Sequence, residues 1–110
     1  MQEKGEQDAA IAACREAIRL DPKAAFPHNV TGNALWAKGD RAGAAEAFRE
    51  AIRLDPEYRL AHVNLGRVLR DAGDAAGALP AFREAVRLDP TAADVQADLG
   101  AALQETGDQD

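Results

Sequence analysis

His28, His62 and Cys14 are the side chains of this chain that would first suggest catalysis or metal binding. The two histidines stand 34 residues apart with no third ligand beside either, so the donor set of a zinc site is missing. Cys14 is the single cysteine, which excludes an internal disulfide and leaves no metal-ligand spacing. As a nucleophile it has no evident histidine partner, and the chain contains no serine, the commonest hydrolase nucleophile. Asn29-Val30-Thr31 satisfies the glycosylation triplet but falls in a stretch expected to be helical, in a chain whose first residues form no secretion signal. The expectation is therefore a protein with no catalytic residues, no metal and no cofactor, working in the cytoplasm.

Charge and composition narrow the remaining functions. The net charge of −6 lacks the basic stripe that phosphate backbones require, which argues against nucleic acid. No apolar run approaches the roughly 20 residues of a membrane span. With 46% apolar and 29% charged residues the chain reads as folded, and its 110 residues suit one small domain. Aromatics are only 5% and alanine is abundant, a composition that packs helices closely through small side chains. The acidity is local: Asp94, Asp98, Glu105, Asp108 and Asp110 fall in residues 93–110, which hold no base.

The elements that position these residues repeat. Glu16-Ala17-Ile18-Arg19-Leu20-Asp21-Pro22 returns as Glu50 to Pro56 and, with one Ile-to-Val change, as Glu84 to Pro90, each step being 34 residues. Gly39-Asp40 and Gly73-Asp74 keep the same register, with Gly5-Glu6 before them and Gly107-Asp108 after. His28, Gly32 and Leu35 are matched by His62, Gly66 and Leu69, and about half of residues 25–58 recur unchanged in 59–92. A fixed period in this range marks a repeat architecture.

Between the punctuation marks the pattern is helical. Segments 41–54 and 75–88 start after Asp40 and Asp74, short acids suited to capping a first turn. Ala44, Ala47, Phe48, Ala51 and Leu54, then Ala78, Phe82, Ala85 and Leu88, form a buried stripe at helical spacing. Pro56 and Pro90 end these helices. Segments 25–38 and 59–72 are the other helix of each pair, closing at Gly39 and Gly73. Gly32 and Gly66 lie inside helices, and close approach of backbones opposite Ala44 and Ala78 is the expected compensation. Pro80 is expected to bend or loosen its turn. His28 and His62 are expected to pack at hairpin seams, and Cys14 to be a small hydrophobe on a stripe with Ile11, Ala17 and Ile18.

The Gly-Asp turns, the Phe-x-x-Ala pairs, the in-register glycines and the Leu-Asp-Pro endings resemble the tetratricopeptide repeat family across essentially the whole chain. The family's usual first-helix tryptophan is His28 and His62 here, and its second-helix aromatic is Cys14 in the front fragment. The resemblance implies an all-α, right-handed superhelical solenoid of antiparallel helix pairs. Its divisions would be a half repeat at 1–24, full repeats at 25–58 and 59–92, and a half repeat or capping helix at 93–110.

It also implies a concave wall, lined by the first helix of each pair, that receives a peptide or protein. Carried across by position, that wall holds Phe26, Asn29, Asn33 and Trp36, then Leu60, Val63, Asn64, Arg67 and Arg70, then Asp94, Ala97, Asp98, Ala101 and Gln104. Asn33 and Asn64 match asparagines that bond a bound peptide's backbone in relatives, a task suited to a carboxamide with donors and an acceptor. Arg67 and Arg70 would offer a fork for a carboxylate, and Trp36 an anchor. Relatives that clamp acidic chaperone tails use basic residues where Asn29, Asp94 and Asp98 stand here, so a basic or amphipathic peptide fits better. Phe26 and Leu60 are alternatively expected to pack between hairpins.

At the ends, Ile11 and Cys14 are expected to be poorly covered, because their half repeat lacks a partner helix. Beginning and stopping inside a repeat suggests an excerpt from a longer array, or ends that pair into a homo-oligomer. Binding a partner is the leading expectation. Self-association, or the recruiting arm of a larger enzyme, are the alternatives.

Overall fold

The computed structural model describes residues 3–107 and contains, among these, six α-helices and no strand. They are α1 (Glu3–Leu20), α2 (Phe26–Ala37), α3 (Arg41–Leu54), α4 (Arg59–Asp71), α5 (Ala75–Leu88) and α6 (Ala93–Thr106). Two compact units divide them, Met1–Tyr58 and Arg59–Asp110. In the first, α2 packs against both α1 and α3; in the second, α5 packs against both α4 and α6, and α4 also touches α6.

The repeated sequence marks act as local switches. Gly39 and Gly73 close α2 and α4 at φ of 91° and 89°, the left-handed region that costs glycine least. The Asp40 carboxylate then accepts the Gly43 N–H at 2.9 Å, and Asp74 accepts Gly77 N–H at 2.8 Å, capping α3 and α5. Each Leu-Asp-Pro ending works in the same way. Asp21, Asp55 and Asp89 accept the backbone N–H two residues on, at 3.3, 3.2 and 3.1 Å. The proline that follows holds Asp55 and Asp89 extended and stops the helix.

Gly5-Glu6 departs from this pattern. The expected turn is absent and α1 runs through Gly5. Glu6 stands where the capping aspartates stand, and a longer, helix-favouring side chain gives the chain no reason to stop there. Gly107 does adopt the left-handed turn, at φ 76°, while Asp108 and Asp110 lie outside the described residues.

The core is small-residue packing around one ring per hairpin. Ala44, Phe48 and Ala51 of α3, and Ala78, Phe82 and Ala85 of α5, are completely buried. The rings answer the question posed by the in-helix glycines. A Cβ placed on Gly32 would meet Phe48 Cδ1 at 2.6 Å, and one on Gly66 would meet Phe82 Cδ1 at 2.7 Å. The close approach expected at these glycines is therefore to a phenylalanine ring on the facing helix, with the alanines filling in beside it.

Two other expectations are corrected. Ile11 and Cys14 are only 6% and 7% exposed, because α2 covers the stripe of α1 that a missing partner was expected to leave open. Phe26 and Leu60, expected alternatively to pack between hairpins, are 67% and 49% exposed. Pro80 leaves α5 unbroken. Pro80 and Ala76, whose carbonyl loses its helical donor to the proline, are both exposed residues.

Candidate functional site

In each hairpin the second helix (α3 or α5) turns its ring toward the first (α2 or α4), which leaves the other sides of α2 and α4 clear of these rings. On α2, Asn33 is exposed at the helix surface. Asn29, one turn earlier, is buried at 5% and hydrogen-bonds the Tyr58 phenol. Burial pushes that phenol above its usual value, and the Asn29 bond partly offsets the rise. Asn29 thus ties α2 to the segment following α3, where the sequence pointed to a ligand contact. Tyr58 carried no sequence signal, because its counterparts at the 34-residue spacing are Ala24 and Ala92.

Trp36 is half-buried and meets Phe48 edge to face, with ring centroids 6.4 Å apart and planes at 81°. This is a favourable aromatic geometry. It fixes the indole to the hairpin core while part of its surface stays exposed. Thr31 donates its hydroxyl to the Pro27 carbonyl at 2.9 Å, keeping that face of α2 quiet.

On α4, Asn64 is half-buried, and Arg67 and Arg70 lie about one and two turns beyond it. Both guanidinium groups are engaged by α6. Arg67 Nε donates to Asp98 Oδ2 at 2.7 Å, and its Nη2 reaches Asp94 at 3.4 Å. Arg70 grips Glu105 with two nitrogens, Nε at 3.0 Å from both oxygens and Nη2 at 2.7 Å from Oε2. The Arg70 guanidinium holds the Glu105 carboxyl below the ordinary carboxylate value. The carboxylate fork expected of these arginines therefore exists, and this chain's own α6 occupies it. The same pairing explains where the local acidity of residues 93–106 goes: three of its carboxylates answer two arginines 27 to 35 residues upstream.

Hydrogen bonds from Arg53 and Arg87 hold the Glu50 and Glu84 carboxyls below the ordinary carboxylate value, and His28 and His62, each across its own hairpin, add to the lowering. His62 is 8% exposed and His28 half-buried, which places both at seams. Among the described residues no three His, Cys, Asp or Glu side chains gather as a metal site would need, and no helix is long and apolar enough to cross a membrane.

A family model described as tetratricopeptide repeat matches residues 30–93, and a second with the same description matches residues 2–24. No curated protein sequence matches the chain. Among solved structures, the first TPR of Spaghetti (RPAP3), bound to the HSP90 peptide SRMEEVD, is similar with a TM-score of 0.88 at 18% identity, over 94% of this chain and 82% of that one. The TPR2B domain of yeast Sti1, in a pHsp70 complex, gives 0.86 at 21% identity over 93% and 86%. The MamA protein gives 0.86 at 23% identity over 94% of this chain, which spans only 56% of that structure's length. At such identities the likeness is one of fold.

Proposed function

This chain belongs to the tetratricopeptide repeat family, and on that premise we propose that it is a non-catalytic module binding a peptide or protein partner through the sides of α2 and α4 turned away from α3 and α5. The observation that supports the reading is the placement of carboxamides on the first helices of two hairpins: Asn33 exposed on α2, and Asn64 at the half-buried surface of α4. A carboxamide donates and accepts, so it pairs with a main chain whatever its side chains. Relatives of the same fold were solved with an HSP90 peptide and in a pHsp70 complex, which supports the class of ligand.

The partner is basic or amphipathic. An acidic tail would have to displace Asp94, Asp98 and Glu105 from Arg67 and Arg70 before it could be gripped. Asp94 remains well exposed at 69% of its side chain and offers a basic ligand an acceptor. The reading also places the protein in the cytoplasm, where an unpaired Cys14 stays reduced.

The test begins with selection of binding peptides from a displayed random library. The selected peptide is then titrated against wild type, Asn33→Ala and Asn64→Ala, with SRMEEVD as the acidic probe. The proposal expects selected peptides with net positive charge, at least a tenfold loss in each variant, and no measurable SRMEEVD binding. Selected peptides that bind both variants as tightly as wild type would refute the assignment of these faces. Tight SRMEEVD binding would refute the charge preference.

A further inference from the structure

The chain has three Phe, one Trp and one Tyr, and they divide between two places. Phe48 and Phe82 are completely buried in the hairpin cores. The other three gather on α2. Phe26 opens the helix at 67% exposure, Trp36 lies half-buried near its end, and Tyr58 is hydrogen-bonded to Asn29 in its middle. At 3.6 residues per turn, Phe26, Val30, Asn33, Trp36 and Ala37 fall within about a third of the helix circumference, along about 16 Å of its axis. The exposure of Phe26 belongs to its register and not to a missing neighbour. Leu60 keeps the same register on α4, with α6 packed alongside, and is still 49% exposed.

Charge sets this face apart. Among the six described helices only α2 holds no Asp, Glu, Lys or Arg. The matching stripe of α4 carries Arg67, Arg70 and Asp71, and that of α6 carries Asp94, Asp98 and Glu105. A charged ligand group laid on α2 would give up water against a ring and meet no counter-ion, whereas an apolar group would take the Phe26 ring out of water. We propose that α2 is an apolar subsite of the peptide site. It takes an uncharged, extended segment whose large aliphatic or aromatic side chain packs on Phe26, while Asn33 pairs with the segment's main chain. The inference rests on the reading of α2 and α4 as the ligand-binding faces. It narrows the ligand to one built in blocks, with a neutral apolar block for α2 and its positive charge elsewhere.

The first turn of α2 holds the anchor in place. Pro27 is buried and fixes its own φ, and the Ala25 carbonyl accepts the N–H groups of His28 and Asn29 at 3.0 and 3.3 Å. The Phe26 ring is thus presented to solvent from an ordered turn. A cation would be attracted to the face of such a ring, but no carboxylate of α2 supports it there. A second copy of this chain offers no suitable segment among the described residues. Each of its inter-helix stretches carries an acid: Asp21, Asp40, Asp55, Asp74 and Asp89.

The experiment selects peptides from a displayed random library on wild type and on Phe26→Glu in parallel, then titrates a labelled wild-type selectant by fluorescence anisotropy. Wild type should enrich one peptide position in large apolar residues, and Phe26→Glu should enrich Lys or Arg there instead. Phe26→Ala should bind the wild-type selectant at least tenfold more weakly while melting as wild type does, since the side chain it removes is 67% exposed. Alanine at the peptide's apolar position should cost at least tenfold against wild type and less than about threefold against Phe26→Ala, because the two changes remove one contact. A selectant that needs Asn33 and Asn64 yet binds Phe26→Ala as tightly as wild type would overturn the subsite and leave the broader reading standing. One that needs Phe26 but ignores Asn33→Ala and Asn64→Ala would uphold the subsite and refute the carboxamide assignment. Enrichment of Lys or Arg opposite Phe26 in wild type would overturn the neutral occupant. A dimer of the free protein that Phe26→Ala disperses would give the face to a second copy and overturn the partner proposed.

Discussion

If the Phe82 ring is what position 66 accommodates, Gly66→Ala and Phe82→Ala must be strongly non-additive. In the wild-type background the new methyl would stand 2.7 Å from Phe82 Cδ1, roughly an ångström inside normal contact, against a ring that is 0% exposed and has no free direction to move. Overpacking of this kind costs about 1–3 kcal/mol, offset by about 1 kcal/mol of helix propensity gained over glycine. Phe82→Ala alone should cost about 3–5 kcal/mol, as large-to-small changes in a core do. In that background the methyl added at position 66 enters a vacated space, so only the propensity gain remains and the second change stabilises. The coupling is thus about 1–3 kcal/mol in size. Urea unfolding of the four proteins, followed by far-ultraviolet circular dichroism and extrapolated linearly, measures it. Additivity within about 0.5 kcal/mol would refute the ring-on-glycine account. The Gly32 and Phe48 cycle should behave alike, with Trp36 fluorescence as a local probe because its ring edges onto Phe48.

Gly100→Ala, by contrast, should raise the thermal midpoint by a few degrees, corresponding to about 1 kcal/mol of helix propensity with no ring to collide with; a fall would mean that the space is not open. Asp74→Ala should cost about 1 kcal/mol by removing the acceptor for the Gly77 N–H, read as a lower urea midpoint. Glu105 has a depressed carboxyl because of Arg70, so its stabilising contribution is complete above the ordinary value of 4.5 and is lost as pH falls through the depressed one. The melting difference between wild type and Glu105→Gln should accordingly be present at pH 6 and shrink toward zero at pH 2. Cys14 should react with a thiol reagent only slowly in the folded protein and at the rate of a free thiol in urea.

The sequence was most informative where one residue does one local job. Asp40 and Asp74 as caps, Gly39 and Gly73 as left-handed turns and the Asp-Pro endings are decided within four residues of backbone, so their spacing alone predicts helices 41–54 and 75–88 to the residue. Gly5-Glu6 shows the limit of pattern matching: the register is kept, but the chemistry of the capping carboxylate is not. What the sequence could not resolve were contacts between helices whose partners are chosen by packing. Nothing in the order of residues says that Asp98 and Glu105 reach back to Arg67 and Arg70, or that Asn29 turns inward to Tyr58. Gly100 keeps the spacing of Gly32 and Gly66, yet no expectation was drawn from it. Its open state was not legible, because that depends on which helix lies opposite.

The most direct test of the binding account is an amide-resolved titration of the labelled protein with a library-selected basic peptide, followed through the side-chain carboxamide signals of Asn33 and Asn64. The account predicts that both signals shift saturably with the same dissociation constant, together with backbone amides of α2 and α4. Saturable binding that leaves both carboxamides unmoved, with shifts confined to other helices, would contradict it.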